Sequence, residues 1–376
     1  RRRHPGHPRA GRSGREHRVR QRHTAYDAGV SEARFTSLVA RGASAVSHDI
    51  DDLTSGFWVV VITFEGELTA VRMDDVDRTE PVRRREGRSD VGAWPALSGP
   101  WRTSLDRTAY VEGVSQIRGR IEAGTVYQVN LCRVLEHDLD EGADIAVLGD
   151  RLAAGNPAPY SATIALPEAG LELACASPEA YLLRQGDLVT SRPIKGTATT
   201  PELLLAKDYA ENVMIVDLVR HDVGHVSRPG TVSVDHLCRV EEHPGLVHLV
   251  SDVSGRLRPG TSWRDLLDAS FPPGSVSGAP KHTALLAIAD LEPVGRGPYC
   301  GAVGWIDIDR DEAELAVGIR TFWVDLDSDG RRVLRSGTGA GITWGSDAQG
   351  EWAETELKAA RLVALAEGEA PARAKV

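Results

Sequence analysis

Residues 57–71 read FWVVVITFEGELTAV. Two runs rich in β-branched and aromatic residues flank Glu65-Gly66-Glu67, and this pattern predicts a β-hairpin. Residues 74–100 are charged and rich in turn formers, which predicts a linker or surface loop and a boundary near residue 100. Beyond it, apolar periodicity predicts helices at 107–123, 201–220, 263–270, 280–291 and 347–367, the fourth with Pro280 in its first turn. Strands are predicted at 127–135, 160–166, 171–176, 180–183, 300–308, 314–324 and 332–337. The two types alternate without a regular βαβ cycle, and no repeat is visible. The expected class is α+β with sizeable antiparallel sheets. The expected organisation is a basic tail at 1–23, an N-terminal subdomain with the hairpin and linker at 24–100, and the main domain at 101–370.

Of the 376 residues, 41% are hydrophobic, enough for a large core. A net charge of −10 argues against a nucleic-acid surface. The Arg-, His-, Gly- and Pro-rich stretch 1–23 lacks core-forming residues and an apolar signal-like run, and reads as a solvated tail. No run of about 18 apolar residues occurs, so no membrane span is expected. Cys132, Cys175, Cys238 and Cys300 are widely spaced, which predicts reduced, mostly buried thiols and a cytoplasmic protein.

Four features carry chemistry. Asp208 and Glu211 lie three apart on one predicted helix, and Glu351 and Glu354 three apart on another, so each pair shares a face. If the faces meet, hard oxygen donors converge as Mg2+ requires; separately, each pair is an ordinary solvated or dipole-favoured face. Lys195 sits between Pro193 and Gly196 in SRPIKGT, on a stiff segment where desolvation would free its amine, or where it is simply a turn lysine. The run Gly337-Thr338-Gly339-Ala340-Gly341 brings backbone close to an anion, or makes a tight turn. Arg320 closes a predicted strand, where it clamps a carboxylate or joins a structural ion pair.

In combination these features resemble the chorismate-utilising enzymes. The resemblance runs from about residue 107 to 365. It rests on YQVNL at 127–131, NPAPY at 156–160, SPE at 177–179, RPIKGT at 192–197, AEN at 210–212 through DLVR at 217–220, and HLVS at 248–251. It continues through GSVSGAPK at 274–281, GAVG at 301–304, IRT at 319–321, GAGI at 339–342 and Glu354-Thr355. The resemblance implies two antiparallel sheets packed as a sandwich with helices around them. It implies Mg2+ on Glu211 and Glu354, with Asp208 and Glu351 close behind. Gly196, Thr197, Ser277, Tyr299, Arg320, the Gly339, Ala340 and Gly341 amides and Lys358 would hold the substrate, and His248 would be an active-site histidine.

Lys195 selects within the family. The resemblance implies alanine there in anthranilate synthases and PIKGT in the component I enzymes that aminate chorismate at C4. In that chemistry Lys195 attacks ring C2, Glu179 protonates the departing C4 hydroxyl, and ammonia displaces the lysine to give 4-amino-4-deoxychorismate, a precursor of p-aminobenzoate and folate. Ammonia would come from a separate glutamine amidotransferase subunit. Anthranilate, isochorismate or salicylate formation are the alternatives within the family, and a non-catalytic chorismate-binding subunit is the alternative outside it. The sequence departs from the family pattern at His221 (usually Asn), His225 (usually Arg), Pro273 (usually Gly), Ser277 (often Thr) and Ala198-Thr199-Thr200. Only half of a relative's tryptophan pocket is matched, by Ala158-Pro159-Tyr160, so feedback by tryptophan is not expected.

Overall fold

The computed structural model describes residues 31–79, 94–243 and 246–368. The predicted tail at 1–23 lies outside them, as does much of the predicted loop. The hairpin forms: strand Phe57–Ile62 pairs antiparallel with Leu68–Asp77, Val59 opposite Val71. Gly66, at φ +92°, donates its N–H to the Thr63 carbonyl and closes the turn.

From this hairpin an antiparallel ladder extends both ways. On one side Phe57–Ile62 pairs with Ala302–Asp307, then come Glu312–Val317, Ala180–Gln185, Leu188–Arg192, Leu246–Arg256 and Ser233–His243. On the other, Leu68–Asp77 pairs with Val39–Ser47, then come Glu32–Phe35, Tyr160–Leu166, Leu171–Ser177, Thr321–Leu326, Arg332–Ile342 and Gln128–Asp138. Both halves face a shared core, Val60, Val303, Leu315 and Val253 from the first and Ala33, Ile164, Leu173 and Trp323 from the second. Helices complete the expected α+β class. From residue 31 onward the described residues form one compact unit, with the hairpin at the centre of the ladder.

Several expectations are corrected. The strand predicted at 314–324 is two strands, Glu312–Val317 and Thr321–Leu326, in different halves of the ladder. Between them Arg320 adopts φ +51°, left-handed backbone that breaks the extended run just before Thr321–Leu326, so the arginine lies between two strands and closes neither. The Gly-rich run is not a turn. Gly337 to Gly341 lie inside strand Arg332–Ile342, paired to Gln128–Asp138. Helix 201–220 begins later, as Ala206–Val226 after a short turn at Pro201–Leu203, because the Asp208 carboxylate accepts the Leu205 N–H at 2.8 Å and fixes the start there. Pro280 stands just outside its helix, Lys281–Leu291. The hairpin Ser233–His243/Leu246–Arg256 and helix Ile145–Gly155 have no counterpart in the sequence reading. Among the described residues no helix is long and apolar enough to cross a membrane.

Candidate active site

Pro193 interrupts the edge that pairs with Leu246–Arg256, dividing it into Leu188–Arg192 and Ile194–Ala198 with a register shift after Ile194. Gly196 occupies that irregularity at φ +80°, and a Cβ there would stand 2.8 Å from Cβ of Asp208. Glycine thus lets this strand press against the start of helix Ala206–Val226. The kink turns Lys195 inward, where Nζ donates to the Ser275 carbonyl at 2.8 Å. Asn130 Nδ2 donates to the same oxygen at 3.0 Å.

Glu179 is buried beside this amine. Burial pushes its carboxyl up to about 7, against the opposing pull of the Ser275 hydroxyl, the Lys195 charge and the Ile194 N–H. Lys195 moves the other way. Burial lowers its pKa, and the carboxylates of Glu211, Glu179 and Glu354 oppose that shift while Lys358 reinforces it. An acid held near neutrality therefore lies next to an amine biased toward its free base.

The two acidic faces meet electrostatically. Burial raises the Glu211 carboxyl, Lys195 and Lys207 oppose the rise, and Asp208 and Glu351 add to it. Burial raises Glu351 as well; the Ser346 hydroxyl opposes it and Glu354 adds to it. Burial would also raise Glu354, but Lys358, 2.7 Å away, together with Lys207 and Lys195, outweighs it and holds Glu354 below the ordinary range. Among the described residues no three His, Cys, Asp or Glu side chains converge as a metal-binding group. The donor set nonetheless fits a hard dication, which takes one or two carboxylates and completes its shell with water and an anionic ligand.

The other expected residues divide. Thr197 Oγ1 lies 2.8 Å from Nδ1 of buried His248, which faces it across the strand pair. Burial lowers the guanidinium pKa of Arg320, and the side chain finds no hydrogen bond or ion pair among the described residues. A desolvated cation of that kind is suited to an anionic ligand. Lys358 Nζ reaches the Gly339 carbonyl at 3.1 Å, on the strand edge left open beyond Ser336, where Thr321–Leu326 ends its pairing. Ladder alternation points the Gly339 and Gly341 amides to that open edge and gives the Ala340 amide to its partner Leu131. Tyr299 lies behind the strand, its ring against Gly337 and its hydroxyl 3.9 Å from Cys132 Sγ. Ser277 turns its hydroxyl back to the Pro273 carbonyl at 3.0 Å and has no accessible surface.

Two residues had no role assigned from the sequence. Ser275 bonds both Lys195 and Glu179. Gln128 is fully buried, yet neither amide atom has a hydrogen-bond partner among the described residues, and a Cβ on Gly341 would lie 2.3 Å from its Nε2. Both sit inside motifs quoted above, but nothing in the sequence shows which polar side chains a strand buries.

Fold and site together define an enzyme with paired acid and amine groups for a small anionic substrate. The family model described as chorismate binding enzyme matches residues 62–364, and the chain belongs to that family. It is a chorismate-utilising enzyme. It is 34% identical over 356 residues to aminodeoxychorismate synthase component 1 of Klebsiella aerogenes, covering 90% of this chain and 75% of that protein. It is 38% identical over 318 residues to anthranilate synthase component 1 of Streptomyces coelicolor, covering 80% of this chain and 60% of that protein. A putative 2,3-dihydroxybenzoate-specific isochorismate synthase from Bacillus anthracis shares the fold, with a TM-score of 0.74 at 24% identity over 90% of this chain and 97% of that one.

Proposed function

We propose that the chain replaces the C4 hydroxyl of chorismate with an amino group, as an aminodeoxychorismate synthase component 1, with Lys195 as covalent nucleophile. The observation that carries this reading is the seating of the Lys195 amine beside Glu179, each shifted toward the form the reaction needs. Lys195 Nζ bonds to ring C2 and the π electrons move toward C4. The C4–O bond breaks, and the oxygen leaves as water with the proton of Glu179. Ammonia then bonds to C4, the electrons return, and the C2–Nζ bond breaks. The Glu179 carboxylate recovers a proton from the new C4 nitrogen. Two allylic displacements thus replace one difficult substitution.

Arg320, Lys358 and the Gly339 and Gly341 amides are the groups proposed to hold the substrate carboxylates. Glu211 and Glu354 are proposed to hold Mg2+, with Asp208 and Glu351 adding negative potential. Bound there, the ion would neutralise a ring carboxylate. His248, ordered by Thr197, is proposed to line the same site. The ammonia donor is proposed to be a glutamine amidotransferase subunit.

Anthranilate formation is the second reading, and the 38% identity to an anthranilate synthase component favours it. Incubation with chorismate, Mg2+ and ammonium, with products identified by mass spectrometry, decides between them. Aminodeoxychorismate from the wild type and its loss in Lys195→Ala is the expected pair of results. Anthranilate and pyruvate from the wild type, or undiminished C4 amination by Lys195→Ala, would overturn the proposal.

A further inference from the structure

Helix Ala206–Val226 carries two histidines one turn apart near its carboxyl end, away from the substrate groups. The Nε2 atoms of His221 and His225 stand 3.3 Å apart, with the rings crossed at 83°. Two nitrogens on one tetrahedral zinc, each about 2.0–2.1 Å from it, are separated by about 3.3 Å. The two nitrogens are thus spaced as two zinc ligands would be, and the contact between them is a nitrogen–nitrogen hydrogen bond whose proton a metal would replace. Asp222 lies near the opposite edge of the first ring, its Oδ1 3.7 Å from His221 Nδ1, while its Oδ2 accepts from Lys281 Nζ at 2.7 Å. Both histidines line an open cleft of about 600 Å³ that also contains Asp222, Asp265, Asp268 and Arg258. Asp222 is paired with Lys281, which leaves Asp265 and Asp268 as the further carboxylates beside Arg258, whose guanidinium donates to the His225 carbonyl. The helix end adds negative potential from its last carbonyls. Among the described residues no third side chain joins the pair as a ligand, so a bound ion would complete its shell with water.

We infer that His221 and His225 form a second cation site, for a borderline dication such as Zn2+, chemically distinct from the hard-ion site proposed for the active centre. Imidazole nitrogens favour zinc, nickel and copper over magnesium, and two-ligand chelation with open positions makes the site exchangeable. The inference does not depend on which chorismate product is made.

The test is a Zn2+ titration of the full chain by calorimetry, near neutral pH and in excess Mg2+. Wild type is expected to take up one zinc that His221→Asn and His225→Asn each weaken by about tenfold or more. Unchanged circular dichroism in both variants shows that the fold is retained. Zinc affinity equal to wild type in both variants, or no uptake by the wild type at millimolar zinc, would overturn the site.

Discussion

At the scale of the residue, the site works through opposed effects on neighbouring groups. Glu179 is buried enough to hold a proton to about 7, whereas an exposed glutamate carboxyl titrates near 4.5. Its folded pKa is raised, so the associated stability is complete below the unfolded value and is lost as pH rises through about 7. Removing the titration with Glu179→Gln should stabilise the fold at alkaline pH by roughly 2–4 kcal/mol and leave it little changed near pH 4. Chemical denaturation at the two pH values checks this, and equal effects at both would refute it. If Glu179 is the acid of the proposed mechanism, the same variant should also lower turnover by about 10²-fold or more. In the wild type, the pH profile of kcat should show an inflection near 7, where the Glu179 carboxyl titrates. A flat profile over that range would argue against this pair as acid and nucleophile.

At the scale of the element, the Gly-rich strand shows what sequence patterns convey and what they hide. Glycines at 337, 339 and 341 alternate, as one face of a strand does, yet glycine also signals turns, and composition alone does not separate the two. Space in the fold does. A Cβ at 337 would lie 2.1 Å from Cγ of the buried Tyr299 ring, whereas one at 341 meets the unpaired amide end of Gln128. Gly337→Ala should therefore destabilise the protein by about 1–3 kcal/mol or more, through overpacking against a ring that cannot move. Gly341→Ala should fold close to wild type and lose activity, because it displaces an amide at the substrate edge. Thermal melts with chorismate turnover for the two variants test the contrast; similar melting temperatures would remove it. Other elements were legible because pattern and environment agree. Asp106 and Asp347 cap the helices Arg107–Glu122 and Ala348–Glu367, and the alternating run at 160–166 became a strand with alternating burial. The stretch 233–243, SVDHLCRVEEH, was not legible: its strand is held by Leu246–Arg256 and by ion pairs such as Arg239–Asp252, long-range partners that no local window contains.

At the scale of the molecule, the motifs pointed to a candidate site but concealed how the early residues hold its parts together. Sequence punctuation near residue 100 suggests that residues 24–100 could stand apart. In the structure four strands between residues 32 and 77 occupy the middle of the ladder and join its two halves. One half supplies Lys195 and Glu179; the other supplies Gly339, Gly341 and the partner strand bearing Gln128. Without the central strands, Ala302–Asp307 and Tyr160–Leu166 would each present an unpaired, apolar edge. Such edges associate with other chains instead of remaining in solution. A fragment beginning at residue 101 should therefore aggregate or remain unfolded, although it contains every residue assigned to the chemistry. In the intact chain the halves share one core, so tryptophan fluorescence and far-ultraviolet circular dichroism should report coincident urea transitions despite the chain's size. Trp305 and Trp323 lie in opposite halves and make the fluorescence sensitive to both. A soluble, cooperatively folding 101–376 fragment that turns over chorismate would show that the central strands are an appendage and not the hinge on which the site is assembled.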